Sequence, residues 1–252
     1  IYAAAWDDPG RGLLHSKGDG TWRHENLPDR RLLAVWGSGP DDVYVGGNDG
    51  IYHGRGDGTW KRELSAPRGA IRAIWGWGPK IVYAAGGYGE VFRSKGDGTW
   101  VKSSVGDDRA LLYAIWGMGP QVYFAGSAGK VYHTTGNGTF DAQSLPTHSD
   151  VTAICGFRTT DIYAVAGDLF HSWGDGHWEL VKVDGLRGGK SLWCDRARGD
   201  LWIGAREGHL LHRRGGTWTS TEDKGAGAFQ ALWGGGDELY VGTELYYSWT
   251  DP

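Results

Sequence analysis

Five histidines recur at equivalent points of the chain: His15, His53, His133, His171 and His212. Each closes a short apolar triplet such as Ile51-Tyr52-His53. Histidine is a common metal ligand and the usual general base near neutral pH. Here the histidines fall in different repeated units, about forty residues or twice that apart, which is too far for them to share an ion. No run of carboxylates accompanies each of them, so they read as scaffold hydrogen-bonding groups, and neither a metal nor a cofactor is expected. The recurring Gly-Asp-Gly turns offer one carboxylate each, well short of the six to eight oxygens of a calcium site. Hydrolysis would call for paired carboxylates or a cluster of arginines at one mouth. Asp107, Asp108 and Asp150 with Arg72 and Arg109 are the candidates for that chemistry, but no motif fixes their geometry. No catalytic residue is predicted.

The elements that position these residues come from a repeat. Residues 69–100 carry both of its anchors, Trp75-Gly76 followed by Pro79 and Tyr83, then Gly96-Asp97-Gly98-Thr99-Trp100. The first anchor returns at Trp36, Trp116, Cys155-Gly156, Trp193-Cys194 and Trp233-Gly234; the second returns at Trp22, Trp60, Phe140, Trp178 and Trp218. Between them lie an Ala-Ile-Trp-like strand a, a Val-Tyr-Ala-like strand b and a Val-Tyr-His-like strand c. A strand d starts at Thr-Trp. Alternating β-branched and aromatic residues, punctuated by Gly, Pro, Asn and Asp, specify short strands. The Gly-Asp-Gly separators tolerate the positive φ of tight hairpins.

Four antiparallel strands per forty residues is the period of a propeller blade. The chain is therefore expected to be all-β, a single β-propeller domain over residues 1–252 with seven blades. The repeats fall at 1–27, 28–66, 67–106, 107–146, 147–184, 185–223 and 224–252. The count gives seven b and seven c strands but six a and six d strands, so the terminal blades are incomplete. The missing d and a would lie before Ile1, and a leader or a longer protein upstream is expected. Six blades with leftover strands is the alternative, and its open edge invites pairing between chains.

Composition narrows the function classes. The net charge of −4 disfavours nucleic acid and anionic membranes as partners. No apolar run is long enough to span a bilayer. The 45 Gly and 15 Trp suit many tight turns with aromatic filling between them. Cys155 and Cys194 read most simply as two buried thiols, with a disulfide between them the alternative.

In repeats, what recurs is scaffold and what departs is a candidate site. The b–c and d–a connections share one face of a propeller and vary most, as binding loops on a rigid frame do. That face offers Trp6, Tyr88, Asp108, Arg109, His148 and Lys190. Arg72 and Tyr113 stand at a variable position of strand a near the channel mouth. On the opposite face Trp77, Phe157 and Trp173 are aromatics able to stack on sugar rings. The loop Asp195 to Asp200 reads as a self-paired charged hairpin.

The pattern Trp-Gly-x-Gly-Pro, Val-Tyr, Ile-Tyr-His and Gly-x-Gly-Thr-Trp resembles Trp/Gly-rich propeller repeats of bacterial secreted and surface proteins. The b-to-c segment, as in Val43-Tyr44-Val45 leading to Gly50-Ile51-Tyr52-His53, is similar to tectonin and tachylectin-2 type lectins, although those lack the Trp-Gly-x-Gly-Pro turn. The resemblance implies multivalent sugar binding in pockets between blades, in a secreted, periplasmic or cell-surface protein. Ser16 to Trp22 looks like the Asp-box turn of sialidase propellers with a shorter Asp-to-Trp spacing, a convergence on the hairpin. Carbohydrate binding without catalysis is the first expectation and a protein-docking scaffold the second. A hydrolase with its site at the channel mouth comes third.

Overall fold

A computed structural model describes residues 1–4, 12–28, 31–65, 67–235 and 238–243. Trp6 lies outside the described residues, as does Leu245-Tyr246-Tyr247, the last of the seven c strands counted in the sequence.

The described residues form seven antiparallel sheets. Sheet 1 holds β1 (Tyr2–Ala4), β2 (Leu13–His15) and β3 (Arg23–Glu25). Sheet 2 holds β4 (Leu32–Gly39), β5 (Asp42–Gly47), β6 (Gly50–Gly54) and β7 (Trp60–Ser65). Sheet 3 holds β8 (Ile71–Gly76), β9 (Val82–Gly86), β10 (Glu90–Ser94) and β11 (Val101–Ser104). Sheet 4 holds β12 (Leu112–Met118), β13 (Gln121–Gly126), β14 (Lys130–Thr134) and β15 (Asp141–Ser144). Sheet 5 holds β16 (Ala153–Arg158), β17 (Asp161–Ala166), β18 (Asp168–Ser172) and β19 (Glu179–Val181). Sheet 6 holds β20 (Gly189–Asp195), β21 (Asp200–Ala205), β22 (His209–Arg214) and β23 (Thr217–Glu222). Sheet 7 holds β24 (Phe229–Gly235) and β25 (Glu238–Thr243). Every sheet is a simple meander in chain order. Sheet 1 opens at the expected strand b, and sheets 2 to 6 are complete a-to-d blades. Two compact units result: residues 1–126 with 132–142, and residues 127–131 with 143–252.

Within each unit, burial follows strand position. Strands b and c are mostly buried, as β9 shows with every residue buried, whereas d strands such as β11 are mostly exposed. In the first unit Tyr44, Ile51, Ile71 and Phe92 form one core cluster and Val91, Leu112, Val122 and Phe124 another.

The Trp-Gly anchor works between neighbouring sheets. A Cβ built on Gly76 would lie 2.4 Å from the Trp36 ring, and one on Gly117 would lie 2.7 Å from the Trp75 ring. In the second unit, a Cβ on Gly234 would lie 2.6 Å from Nε1 of Trp193. The tryptophan of one sheet therefore sits on the glycine of the next, and the Trp-Gly pair of the sequence serves two different contacts.

Among the described residues, sheets 5 and 6 carry an exchange of this pair. Cys155 pairs with Tyr163 across the ladder, as Trp36 pairs with Tyr44 and Trp75 with Tyr83, so it holds the tryptophan position. Cys194 holds the glycine position that follows Trp193. The two are joined in a disulfide with Cα atoms 5.8 Å apart. The expected buried thiols are thus a covalent substitute for the tryptophan-on-glycine contact.

The second anchor follows the same logic on the d strands. Trp60 Nε1 donates to Glu25 at 3.4 Å, Trp100 Nε1 to Glu63 at 3.2 Å and Trp178 Nε1 to Gln143 at 3.0 Å. Each acceptor stands three residues after the preceding sheet's own anchor aromatic. The hairpins between c and d form as the sequence predicts. Asp97 Oδ1 accepts from Thr99 N at 3.0 Å and Thr99 Oγ1 at 2.6 Å, and Gly96 turns the chain at φ 76°.

The recurring histidines are held by the scaffold. His53 stacks on Tyr44 with centroids 4.1 Å apart, and its nitrogens meet Glu63 at 2.9 Å and Asp42 at 2.8 Å. Carboxylates thus do accompany some of the histidines. They come from strands b and d, which is why no local run showed them.

His133 and Asp200 are among the groups that make the fold acid-sensitive. Burial pushes the His133 imidazole below its ordinary 6.5, with Asp141 opposing weakly. The Arg214 guanidinium, with help from His212, holds Asp200 below its ordinary 3.8. In both cases the unfolded chain binds protons more readily than the folded one, so stability is lost as pH falls. His133 acts as pH drops below 6.5, and Asp200 once it drops below 3.8. His133→Gln is expected to flatten the upper part of a plot of melting temperature against pH and to leave the lower part intact. An unchanged upper part would refute the assignment.

Candidate binding site

On the face of the b–c and d–a connections, the first unit brings several of the predicted residues into two small clusters. Tyr88 lies in the single turn between β9 and β10 at φ 58°, a conformation that costs a non-glycine residue about 1–3 kcal/mol. Its ring is 42% exposed and lies 4.5 Å from the Arg68 guanidinium carbon. Arg68 Nη1 in turn donates to Asp108 at 3.0 Å. Beside these, the Arg72 guanidinium carbon lies 5.7 Å from the centre of the Tyr113 ring. Arg68 escaped the sequence reading because arginine is ordinary in a polar connection.

Other predicted residues do not join these clusters. The Arg109 backbone N–H donates to Asp107 within their own turn. Trp77 is exposed at the far end of β9 from Tyr88, in the a–b turn. His148 and Lys190 belong to the second unit. There His148 is exposed, and the Lys190 carbonyl accepts from Thr152 Oγ1 at 2.8 Å. The carboxylates weighed for hydrolysis are each engaged locally. Asp107 accepts from Arg109 N, Asp108 pairs with Arg68, and Asp150 accepts from Ala128 N.

A larger recess lies in the second unit, where the a–b turns of sheets 5 and 6 meet the ends of their c strands. It is a cavity of about 450 Å³ lined by Phe157, Tyr163, Trp173, Arg158, Arg196 and Arg213 together with Thr160, Asp161 and three glycines. One wall is aromatic. Phe157 meets Tyr163 edge-on at 6.0 Å, and Trp173, 62% exposed, meets His171 edge-on at 4.5 Å. Arginines supply much of the remaining lining. Arg213 Nη1 donates to the Tyr163 hydroxyl at 2.9 Å, and Arg196 Nε donates to the Gly156 carbonyl at 3.1 Å. Burial pushes the Tyr163 phenol above its usual range, so the hydroxyl stays protonated. Asp161 is engaged by His171 Nε2 at 2.9 Å.

The disulfide bears on this geometry. Phe157 follows Cys155 by two residues and Arg196 follows Cys194 by two, so the covalent bond ties together the two strand ends that carry them. Phe157 and Trp173 carried a sequence signal, as aromatics at turn positions. The loop Asp195 to Asp200 is self-paired as expected, with Asp195 and Arg198 2.9 Å apart, but Arg196 leaves it to line the cavity. Arg158 and Arg213 were missed. A charged residue near a strand end carries no mark until the neighbouring sheet is in place.

No family model and no curated protein matches the sequence. The fold, in contrast, has well-defined neighbours. A catalytically inactive virginiamycin B lyase from Staphylococcus aureus, solved with quinupristin, aligns with a TM-score of 0.81 at 15% identity, over 92% of this chain and 84% of that one. YCF48 bound to D1 peptide aligns with a TM-score of 0.73 at 17% identity, over 92% and 83% of the two chains. The extracellular domain of the BT4673 one-component system from B. thetaiotaomicron aligns at 0.74 and 16% identity, over 93% of this chain and 35% of that one. At such identities the likeness carries the fold and nothing further: the chain is a β-propeller with seven blade sheets.

Proposed function

We propose that this propeller is a non-catalytic carbohydrate-binding protein whose site is the cavity between sheets 5 and 6. The observation that carries the reading is the pairing of an exposed Trp173 and a Phe157–Tyr163 corner with three arginines around one recess. Sugar rings present apolar C–H faces to aromatic side chains and hydroxyls to planar donors. Three guanidinium groups against the single carboxylate of Asp161 favour acidic sugars, whose carboxylates arginine meets with two parallel bonds. The disulfide supports an oxidising compartment, consistent with secretion or a periplasmic or surface location.

A glycan array enriched in uronic and sialic acids tests the reading. Binding is expected, and Trp173→Ala is expected to weaken it at least tenfold, or about 1.4 kcal/mol, with no change in melting temperature. Silence across the array, or full binding by the variant, would overturn the proposal.

A second reading, docking of a protein partner on the loop face, is favoured by the exposed Tyr88 held over by Arg68, since tyrosine and arginine dominate binding hot spots. It predicts a partner whose capture is lost in Tyr88→Ala and kept in Trp173→Ala.

A further inference from the structure

One inter-sheet position in the first unit departs from its counterparts in three residues at once. In sheets 1 and 2 a strand-c histidine, a strand-d glutamate and the next sheet's tryptophan form one bonded set. His15 and Trp60 share Glu25, and His53 and Trp100 share Glu63. In sheet 3 the histidine is replaced by Arg93, the glutamate by Ser103 and the following tryptophan by Phe140. The built-in carboxylate is gone, a fixed cation stands where the imidazole did, and the smaller ring leaves space.

That space is a cavity of about 150 Å³, lined by Tyr83, Val91, Arg93, Val101, Ser103 and Phe140, with Lys95 also among its lining residues. No acidic residue lines it. Arg93 Nη1 donates to the Gly136 carbonyl at 3.4 Å, and its guanidinium carbon lies 5.8 Å from the Tyr83 ring centre. Its Nε is buried without an acceptor among the described residues. A buried donor on a charged group left unpaired is costly, and the cost is relieved by any acceptor that reaches it.

We propose that this cavity between sheets 3 and 4 binds a small monocarboxylate with an apolar tail, its carboxylate taking the place of the missing glutamate. Arg93 supplies the charge-assisted hydrogen bonds, strongest to an ionised acceptor. Val91, Val101 and Phe140 receive the tail, and a cavity of this size accommodates a group as large as benzene. The site is separate from the Trp173 recess, and nothing in it depends on carbohydrate binding.

Butyrate is the probe, followed by chemical-shift changes and by melting temperature, with butyramide and chloride as controls. Butyrate is expected to bind saturably and to raise the melting temperature, with butyramide at least tenfold weaker and chloride without effect at equal concentration. Ser103→Glu restores an internal carboxylate beside Arg93. It is expected to raise the melting temperature and weaken butyrate binding at least tenfold, while Arg93→Gln weakens binding as much. No response to butyrate, an equal response to chloride or butyramide, or undiminished binding by a folded Ser103→Glu variant would each overturn the assignment.

Discussion

The paired substitution Cys155→Trp with Cys194→Gly is expected to fold as stably as the native chain, whereas Cys155→Ala with Cys194→Ala is expected to lose about 2–4 kcal/mol. The sequence separation of the two cysteines is 39 residues, so the bond closes a long loop, and the alanine pair loses that constraint with nothing in exchange. The tryptophan–glycine pair instead reinstates the contact seen where Trp36 meets Gly76 and Trp75 meets Gly117. A buried indole contributes a large apolar area, enough to offset the lost loop constraint. Chemical denaturation with and without reductant measures this. Reductant should lower the native midpoint and leave the tryptophan–glycine variant unmoved. An alanine pair as stable as the native chain, or a tryptophan–glycine pair no better than the alanines, would show that the two contacts are not equivalent. The same comparison reaches the cavity. Because Phe157 and Arg196 each lie two residues beyond a cysteine, reduction is also expected to weaken ligand binding there.

The second large effect is expected from a single methyl group. Gly76→Ala places a Cβ 2.4 Å from the Trp36 ring and 2.8 Å from the Ile81 carbonyl oxygen. Neither neighbour can yield easily, because one is a rigid ring and the other is backbone, and overpacking of this kind costs about 1–3 kcal/mol. Gly117→Ala, at 2.7 Å from Trp75 and 2.5 Å from the Gln121 carbonyl oxygen, should behave alike. The decisive measurement is a double-mutant cycle with Trp36→Ala. If the clash with the indole is the cause, Gly76→Ala should cost much less once the ring is gone, and the two changes should be strongly non-additive. Additive costs would assign the penalty to the Ile81 carbonyl.

Much of this protein was determined by local pattern. The forty-residue period, the strand order and the Gly-Asp-Gly-Thr hairpins depend on residues close in sequence, and the sheets form where that pattern places them. The scaffold role of His53 and its companions also followed from the repeat. The partners of those histidines did not, because Asp42 and Glu63 reach His53 from neighbouring strands. The disulfide had a signal of its own. Two departures in adjacent repeats fall at a tryptophan and a glycine position, and these touch only once the sheets are stacked.

The sites belong wholly to the tertiary structure. Of the residues proposed for binding, Tyr88 with Asp108, and Arg72 with Tyr113, were brought into local clusters, whereas Trp77, His148 and Lys190 were not. The Trp173 recess draws Arg196 and Arg213 from the neighbouring sheet, and the Arg93 cavity draws Phe140 in the same way. Such sites lie between units that repeat about forty residues apart. A periodic sequence specifies each unit from within, but the space between two units depends on how their side chains meet.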